Sequence, residues 1–198
     1  MIILPEQYAP SAAKVALVDF GFVQRPALGG AVARVNRPGS RWQIELTFPP
    51  MTADDARVLV RRLSAAKAEG LRVPFPLQGV SQGAPGPNVV VNGNGAAGVN
   101  LPLRGLTPGY AVKEGWWLTV IDSAGDYYLY QIAAPASANG GGQMTVTVTP
   151  MIRAPLADGN AVLLAEPLVE GVVVEGIGWD LVPGELVDGI GCVIEEAA

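Results

Sequence analysis

The feature that most constrains this chain is the segment at residues 41–48, in which polar and apolar residues alternate without interruption. Successive side chains of a β-strand point to opposite faces, so the apolar residues of this segment share one face. Those residues are Trp42, Ile44, Leu46 and Phe48. The pattern predicts an antiparallel strand that buries one face and leaves the other in water.

A helix is predicted directly after this strand, over residues 52–69. Pro49 and Pro50 end the strand, and Thr52 is of a type that caps a helix N-terminus. Two aspartates in the first turn complement the helix dipole, and Gly70 ends the helix. The apolar residues at helical spacing, which are expected to form the buried stripe, are Ala56, Leu59, Leu63 and Ala66.

Three further strand candidates surround this pair. Residues 14–23 and 31–35 precede it, and part of the first segment alternates between apolar and polar or small residues. Residues 71–76 follow it and include Pro74 and Pro76, and proline cannot donate a backbone hydrogen bond to a neighbouring strand. This last segment is therefore predicted to be an edge strand or a loop, not a central strand.

Glycine and proline become frequent at residues 78–98, and a second module is predicted to begin there. Its expected strands lie at residues 116–120, 127–133, 144–149 and 161–165. Short strands at this spacing are typical of a small antiparallel barrel or sandwich. A domain boundary is expected near Glu166 and Pro167.

The C-terminal segment contains a short internal echo. The sequence VEGIGW at residues 174–179 recurs as VDGIGC at residues 187–192, and Pro183 and Gly184 lie between the two copies. This arrangement predicts a hairpin of two similar strands.

Together these patterns predict a mainly β protein with one α-helix, organised as two modules. Residues 1–80 together with 167–198 are expected to form an N-terminal β-sandwich or barrel that the C-terminal strands complete. Residues 81–166 are expected to form a second, small antiparallel β-barrel or sandwich.

The chain contains no histidine and a single cysteine, Cys192. This composition limits the kinds of catalytic and metal-binding sites that the chain can form. Without imidazole, Ser-His-Asp catalysis, Cys-His catalysis and histidine-dependent zinc sites are excluded. Cys192 lies in an apolar run without a cationic neighbour, so it is predicted to be a small buried side chain and not a nucleophile. No residue is assigned as catalytic, cofactor-binding or metal-binding, and the protein is not expected to be an enzyme.

Three other sequence features resemble ligand-binding motifs but are interpreted otherwise. Residues 93–98 match G-x-G-x-x-G, but the segment after them is too rich in proline and glycine for the helix that a dinucleotide site needs. Asp122 and Asp126 lack the spacing of a calcium loop and are interpreted as a turn. The acidic residues of the C-terminal segment are interpreted as a solvated surface or an interface rim, and they are Glu175, Glu185, Asp188, Glu195 and Glu196.

Composition favours contacts with other protein subunits. Hydrophobic residues make up 49% of the chain and charged residues 16%, against about 25% charged residues in typical soluble domains. A net charge of −5 argues against nucleic-acid binding. The one cationic cluster is interpreted as a solvated face of the predicted helix, and it consists of Arg57, Arg61, Arg62 and Lys67.

Neither membrane insertion nor secretion is expected. No apolar run reaches the roughly 18 residues of a membrane-spanning helix, and the N-terminus lacks the features of a signal peptide. The protein is therefore expected to be made and kept in a cytoplasm.

Four short segments share their order along the chain with a known group of proteins. They are FVQRPALGG at residues 22–30, PGSRW at residues 38–42, RGLTPG at residues 104–109 and TPMIRAP at residues 149–155. In this order, and with an alanine-rich helix after residue 51, the chain resembles bacteriophage tail proteins of the distal-tail or tail-tip type, components of siphophage-like baseplate hubs. The resemblance extends over residues 20–165, and its motifs are structural.

The resemblance implies a structural virion protein that forms a ring, usually a homohexamer, between the tail tube and the receptor-binding or baseplate components. Its implied partners are copies of itself, the tail tube protein and the tail hub or receptor-binding proteins, with no cofactor. It also implies a second β module inserted into, or following, the first. The implied location is the virion tail, after synthesis in the cytoplasm of a bacterial host.

Two alternatives stay open. A carbohydrate-binding β module without catalysis is suggested by aromatic residues of the second module, although alternating aromatics in a strand more often belong to a core. These residues are Trp116, Trp117, Tyr127, Tyr128 and Tyr130. An enzyme that uses carboxylates alone, such as a glycosidase, needs two acids about 5 to 10 Å apart in one cleft.

Overall fold

The computed structural model of the chain describes residues 1–77, 79–175, 177–180 and 186–197. The described residues contain one α-helix, α1 (Ala53–Glu69), one 3₁₀ turn (Glu6–Tyr8) and seventeen β-strands. This part of the chain is therefore mainly β with one helix, which confirms the predicted class. Its strands form two main groups and two short pairs.

The first group is a seven-stranded sheet. Its strands are β1 (Ile2–Ile3), β2 (Ala12–Val18), β5 (Arg41–Thr47), β6 (Leu71–Pro74), β15 (Leu168–Val173), β16 (Gly178–Asp180) and β17 (Asp188–Glu196). They lie in the order β1-β6-β15-β17-β5-β2, and β16 pairs with β17. Every pairing is antiparallel except that of β1 with β6.

The second group is a closed barrel in the order β10-β11-β13-β8-β7-β14. Its strands are β7 (Val90–Val91), β8 (Ala96–Arg104), β10 (Trp117–Ile121), β11 (Tyr127–Ile132), β13 (Met144–Leu156) and β14 (Ala161–Leu163). The two short pairs are β3 (Phe22–Gln24) with β4 (Ala33–Val35), and β9 (Ala111–Val112) with β12 (Ala136–Ser137). The G-x-G-x-x-G segment leads into strand β8 and not into a helix, as its prolines and glycines predict.

Strand β5 confirms the alternating pattern of residues 41–48. Ile44 and Leu46 have no exposed surface, and Trp42 and Phe48 are also buried. The strand is central to its part of the sheet, because Ile44 pairs with Ile194 of β17 on one side and with Val15 of β2 on the other. The buried face of β5 joins the core between the sheet and α1.

Helix α1 begins and ends where the sequence predicts. The Thr52 hydroxyl accepts a hydrogen bond from the Asp55 N–H at 3.3 Å, and the Gly70 N–H donates to the Ala66 carbonyl at 2.8 Å. These contacts satisfy backbone groups that a helix end otherwise leaves open. The buried residues of the helix are the predicted stripe, Ala56, Leu59, Leu63 and Ala66.

The prediction of an edge strand or loop at residues 71–76 is wrong, because β6 lies between β1 and β15. The Phe75 N–H donates toward β15, to the Pro167 carbonyl at 2.8 Å, so the nitrogen of Pro74 faces the β1 side. On that side β1 has already ended, since its last pair is with Arg72. The proline is tolerated inside the sheet because no neighbouring carbonyl needs its missing N–H.

The strand predicted at residues 14–23 is interrupted. Strand β2 ends at Val18, and the chain turns at Asp19 into the hairpin of β3 and β4. The Asp19 carboxylate accepts hydrogen bonds from the Gly21 N–H at 2.8 Å and from the Ser40 hydroxyl at 2.9 Å. Aspartate favours such local turns because its short side chain reaches nearby backbone donors.

The first module is predicted to be a β-sandwich or barrel, and this is corrected by the structure: its described strands form one open sheet with α1 packed against it. The core of this sheet also takes in Leu129 from the barrel, while the barrel interior forms a second core. At the C-terminal end, β16 and β17 form the predicted antiparallel pair, with Gly178 of one echo opposite Gly191 of the other. The expected turn at Pro183 and Gly184 lies outside the described residues.

Replacing Leu63 with alanine is expected to lower the free energy of unfolding by about 2–5 kcal/mol, because this side chain is fully buried and its removal leaves a cavity. Urea titration followed by circular dichroism measures the change. Val58→Ala is the control on the solvent side of the same helix, where the side chain is 44% exposed, and its expected effect is below about 0.5 kcal/mol. Equal losses in the two variants would contradict the assigned buried face.

Candidate functional site

A hairpin that projects from the sheet carries the largest group of exposed apolar side chains in the described chain. We call residues 19–39 the arm, and it contains β3 and β4, which pair Phe22 with Val35 and Gln24 with Ala33. Every residue of these two strands is exposed. Six of the sixteen large apolar residues that are exposed among the described residues lie in the arm: Phe20, Phe22, Val23, Leu28, Val32 and Val35.

The base of the arm is held by Asp19. Besides its bonds to Gly21 and Ser40, the Asp19 carboxylate lies 2.8 Å from a terminal nitrogen of Arg34. The Gly21 N–H, followed by the Ser40 hydroxyl and Arg34, lowers the pKa of Asp19. Arg37 lies over the ring of Phe22, with 5.2 Å between its guanidinium carbon and the ring centroid. The arm is therefore organised at its base, while its apolar surface stays in water.

The arm also carries a net positive charge, although the chain as a whole is acidic. It carries Arg25, Arg34 and Arg37 against the single acid Asp19, a net charge of +2. Because the whole chain carries −5, the rest of it carries −7. Arg34 pairs with Asp19, whereas Arg25 forms no ion pair with any described residue. An apolar, cationic element on an acidic molecule is suited to an acidic, apolar surface.

A groove of about 590 Å³ runs beside strand β2, and we call it the tryptophan groove. Its lining includes Ala13 and Val15 of β2, Leu77, Val80, Trp116 and Trp117. Among the described residues, Glu114 is the only charged member of the lining. Strand β2 is the last strand of the sheet, so its outer edge has no strand partner in the described part of the chain.

The floor of the tryptophan groove is formed by packed aromatic rings. The Trp117 ring centroid lies 4.8 Å from that of Trp42 and 4.4 Å from that of Phe75. Gln82 is buried beside it, accepts a hydrogen bond from the Trp117 N–H at 2.8 Å, and donates to the carbonyls of Trp117 and Leu164. Both N–H donors of this amide are used within the chain, so it has no N–H to offer a ligand.

The five aromatic residues considered for sugar stacking do not form one exposed strip. Tyr128 and Tyr130 are buried in the barrel core, and burial raises the pKa of Tyr130 to about 12. Tyr127 lies against Arg72, with 3.7 Å between the guanidinium carbon and the ring centroid. The remaining two line the tryptophan groove. For the two buried tyrosines, the favoured interpretation as core residues is confirmed.

Glu196 lies buried between the sheet and the barrel, so its interpretation as a solvated or rim residue is wrong. Its carboxylate accepts hydrogen bonds from the Trp42 N–H at 2.6 Å, the Leu129 N–H at 2.8 Å and Arg153 at 2.8 Å. Trp42 belongs to the sheet, whereas Leu129 and Arg153 belong to the barrel. Burial raises the pKa of Glu196, and Arg153 and the two N–H groups oppose that rise. One carboxylate thus connects the two strand groups.

The sequence contained a signal for this burial. Ile190, Cys192, Ile194 and Glu196 occupy every second position of β17, and all four are buried. Extending the apolar alternation by one step therefore places Glu196 on the inner face. The neighbouring Glu195 points the other way, is partly exposed and lies 3.2 Å from Arg41.

The remaining candidate residues have structural roles. Asp122 accepts hydrogen bonds from the N–H groups of Ala124 at 2.8 Å and Asp126 at 3.0 Å, which forms the predicted turn. Cys192 is buried, as predicted, and burial raises its pKa to about 12. Within the ranges that the structure describes, no three His, Cys, Asp or Glu side chains gather as metal ligands would.

Two comparisons with known proteins return no match. No protein-family model matches the chain, and no curated protein sequence is significantly similar to it. In the described segments, no helix is both long enough and apolar enough to cross a membrane.

Removing the Glu196 carboxylate is expected to cost about 3–5 kcal/mol of folding free energy in Glu196→Ala, because Arg153 would stay buried without its counter-charge. Glu195→Ala is the matched control, and its loss is expected to stay below about 1 kcal/mol, because the pair with Arg41 is partly exposed. Chemical unfolding at neutral pH measures both values. Similar losses for the two neighbours would contradict the role assigned to Glu196.

Proposed function

We propose that this protein is a structural component of a bacteriophage tail tip. Its copies assemble into a ring, of about six subunits by the family resemblance, that joins the tail tube to the receptor-binding or baseplate components. The observation that carries the proposal is the exposed, apolar and cationic arm beside a sheet edge that has no partner in the described chain. The resemblance of residues 20–165 to distal-tail proteins supports the same conclusion.

The arm supports assembly because its clustered apolar side chains are left exposed to water in a monomer. Monomeric proteins expose scattered apolar residues, whereas a cluster on a projecting element marks a contact surface. Phe22 and Val23 are about half exposed, and Leu28 is fully exposed. Subunit interfaces that are permanent are more apolar than ordinary surface, which is also consistent with a charged content of only 16%.

The outer edge of β2 supports assembly for a second reason. An exposed edge strand offers unpaired N–H and C=O groups to any strand that approaches it. Along β2 the only charged residue is Lys14, which is paired with Glu45 on the neighbouring strand at 3.8 Å. A single paired lysine does little to prevent another strand from pairing with the edge of this seven-residue strand. Pairing with a strand of another subunit would give hydrogen-bond partners to the backbone N–H and C=O groups of this edge.

The arm and the edge of β2 are different surfaces, so a contact between them is head-to-tail. Head-to-tail contacts produce a closed ring when the rotation between subunits divides a full turn, and a filament when it does not. In the proposed ring, residues 1–80 and 167–198 build the wall, and the inserted module of residues 81–166 projects outward. The proposed location is the virion tail, after synthesis in the cytoplasm of the bacterial host.

A carbohydrate-binding module is the second candidate, favoured by the tryptophan groove. Sugars stack on aromatic faces and also need several hydrogen bonds from the protein. Among the described lining residues, Glu114 is the one charged group, and the buried Gln82 amide is already engaged. The groove therefore supplies the stacking surface but few of the polar contacts. This candidate requires a monomer that binds a glycan.

Light scattering after size exclusion is expected to give one discrete oligomer near six subunits over a range of concentrations. A variant in which a Gly-Ser linker replaces residues 20–38 is the control, and it is expected to elute as a monomer because the apolar contact surface is gone. Circular dichroism of the variant checks that the sheet and barrel still form. A full-length protein that is monomeric at every concentration would overturn the ring.

Gold-labelled antibodies against the protein are expected to bind one end of the tail in particles released by the bacterium that carries this gene. Electron microscopy of negatively stained particles gives the position of the label, and antibodies preabsorbed with the pure protein are the control. Label on the capsid, or binding of the pure protein to glycans without any label on tails, would contradict a role in the tail tip.

A further inference from the structure

We propose that the arm of one copy docks in the tryptophan groove of the next copy. The proposal rests on the ring assembly proposed above and identifies the two surfaces that meet. The occupant of the groove is thus a second copy of this chain, contributed through residues 22–35.

The two surfaces match in their apolar character. The arm presents Phe22 and Val23, which are about half exposed, and Leu28, which is fully exposed. The groove presents Val80, which is 51% exposed, and the partly buried Trp116. Docking would remove both sets from water, and burial of apolar surface is the main driving force of subunit association.

The two surfaces also match in charge. Arg25, near the tip of the arm, has no ion pair among the described residues, and Glu114 is the one charged group in the described lining of the groove. The arm as a whole carries +2, and the remainder of the chain carries −7. A cationic arm is therefore attracted to the body of another copy, and Arg25 finds a carboxylate at the groove.

The edge of β2 gives the docked arm a backbone partner. Ala13 and Val15 of this strand line the groove, and the outer edge of β2 is unpaired in the described chain. The arm itself is a two-stranded hairpin, so it also has free edges. Addition of a strand to an open sheet edge is a common mode of recognition, in which backbone hydrogen bonds supply affinity and side-chain pockets supply specificity.

The arm does not fill the groove of its own chain. Its base is fixed by the bonds of Asp19 to Arg34 and Ser40 at the C-terminal end of β2, whereas Ala13 lies near the N-terminal end of that strand. The exposed side chains of β3 and β4 stay in solvent in the single chain. A contact between arm and groove therefore has to form between copies.

Cysteine cross-linking between two differently marked chains tests the contact. One chain carries Leu28→Cys and a size tag, and the other carries Val80→Cys without a tag. The native Cys192 is buried and does not compete. After mild oxidation, a disulfide-linked pair of tagged and untagged chains is expected on a non-reducing gel. The matched control replaces Val80→Cys with Ser123→Cys, on an exposed turn of the barrel, and is expected to give no such pair.

A charge exchange gives a second, independent readout. Arg25→Glu is expected to weaken self-association about tenfold, and adding Glu114→Arg in the same chain is expected to restore it. Recovery in the double variant distinguishes a direct contact from a folding defect. Loss of association that Glu114→Arg does not repair would overturn the assigned pair.

The outcomes separate this inference from the ring itself. A discrete oligomer that forms no Leu28–Val80 cross-link, or that cross-links equally to Ser123, overturns the arm–groove contact and leaves the ring in place. A chain that stays monomeric at every concentration overturns both. A disulfide that forms only within one chain, in a variant carrying both cysteines, also overturns docking between copies.

Discussion

The sheet depends on one strand, β17, which pairs with β5 on one side and with β15 on the other. Without it, the sheet separates into a β2–β5 pair and a β1–β6–β15 group that share no hydrogen bonds. The same strand carries Glu196, whose carboxylate reaches the backbone of Leu129 and the side chain of Arg153 in the barrel. A single strand therefore joins the two halves of the sheet and also holds the barrel against them.

Strand β2 has the corresponding position in the proposed contact between copies. Its outer edge borders the tryptophan groove, and its C-terminal end leads through Asp19 into the arm. The two surfaces proposed to meet between copies are thus connected by one seven-residue strand. A displacement of β2 would move both surfaces together, which would keep their relative placement constant in the proposed ring.

Local sequence patterns predicted individual strands and the helix well. They did not predict how elements distant in sequence are placed next to one another. The alternation of residues 41–48 and the capped stripe of α1 repeat at the period of one element, so neighbouring residues suffice to recognise them. The central position of β6 depends on where the short strand β1 stops. The alternation of β17 places Glu196 on the inner face, but its buried partner, Arg153, comes from another module. The arm and groove were not predicted as a site, because exposure and unpaired edges appear only once strand order is known.

The late position of β17 in the sequence also delays completion of the sheet during translation. The ribosome releases β5 first and β17 about 140 residues later, a delay on the order of ten seconds at typical rates of translation. During that interval the arm of the nascent chain is already outside the ribosome, but the sheet beside it is incomplete. The tryptophan groove also needs Trp116 and Trp117, which follow the arm in translation. In the proposed assembly, a nascent chain therefore exposes its arm before it can offer a groove to the arm of another copy.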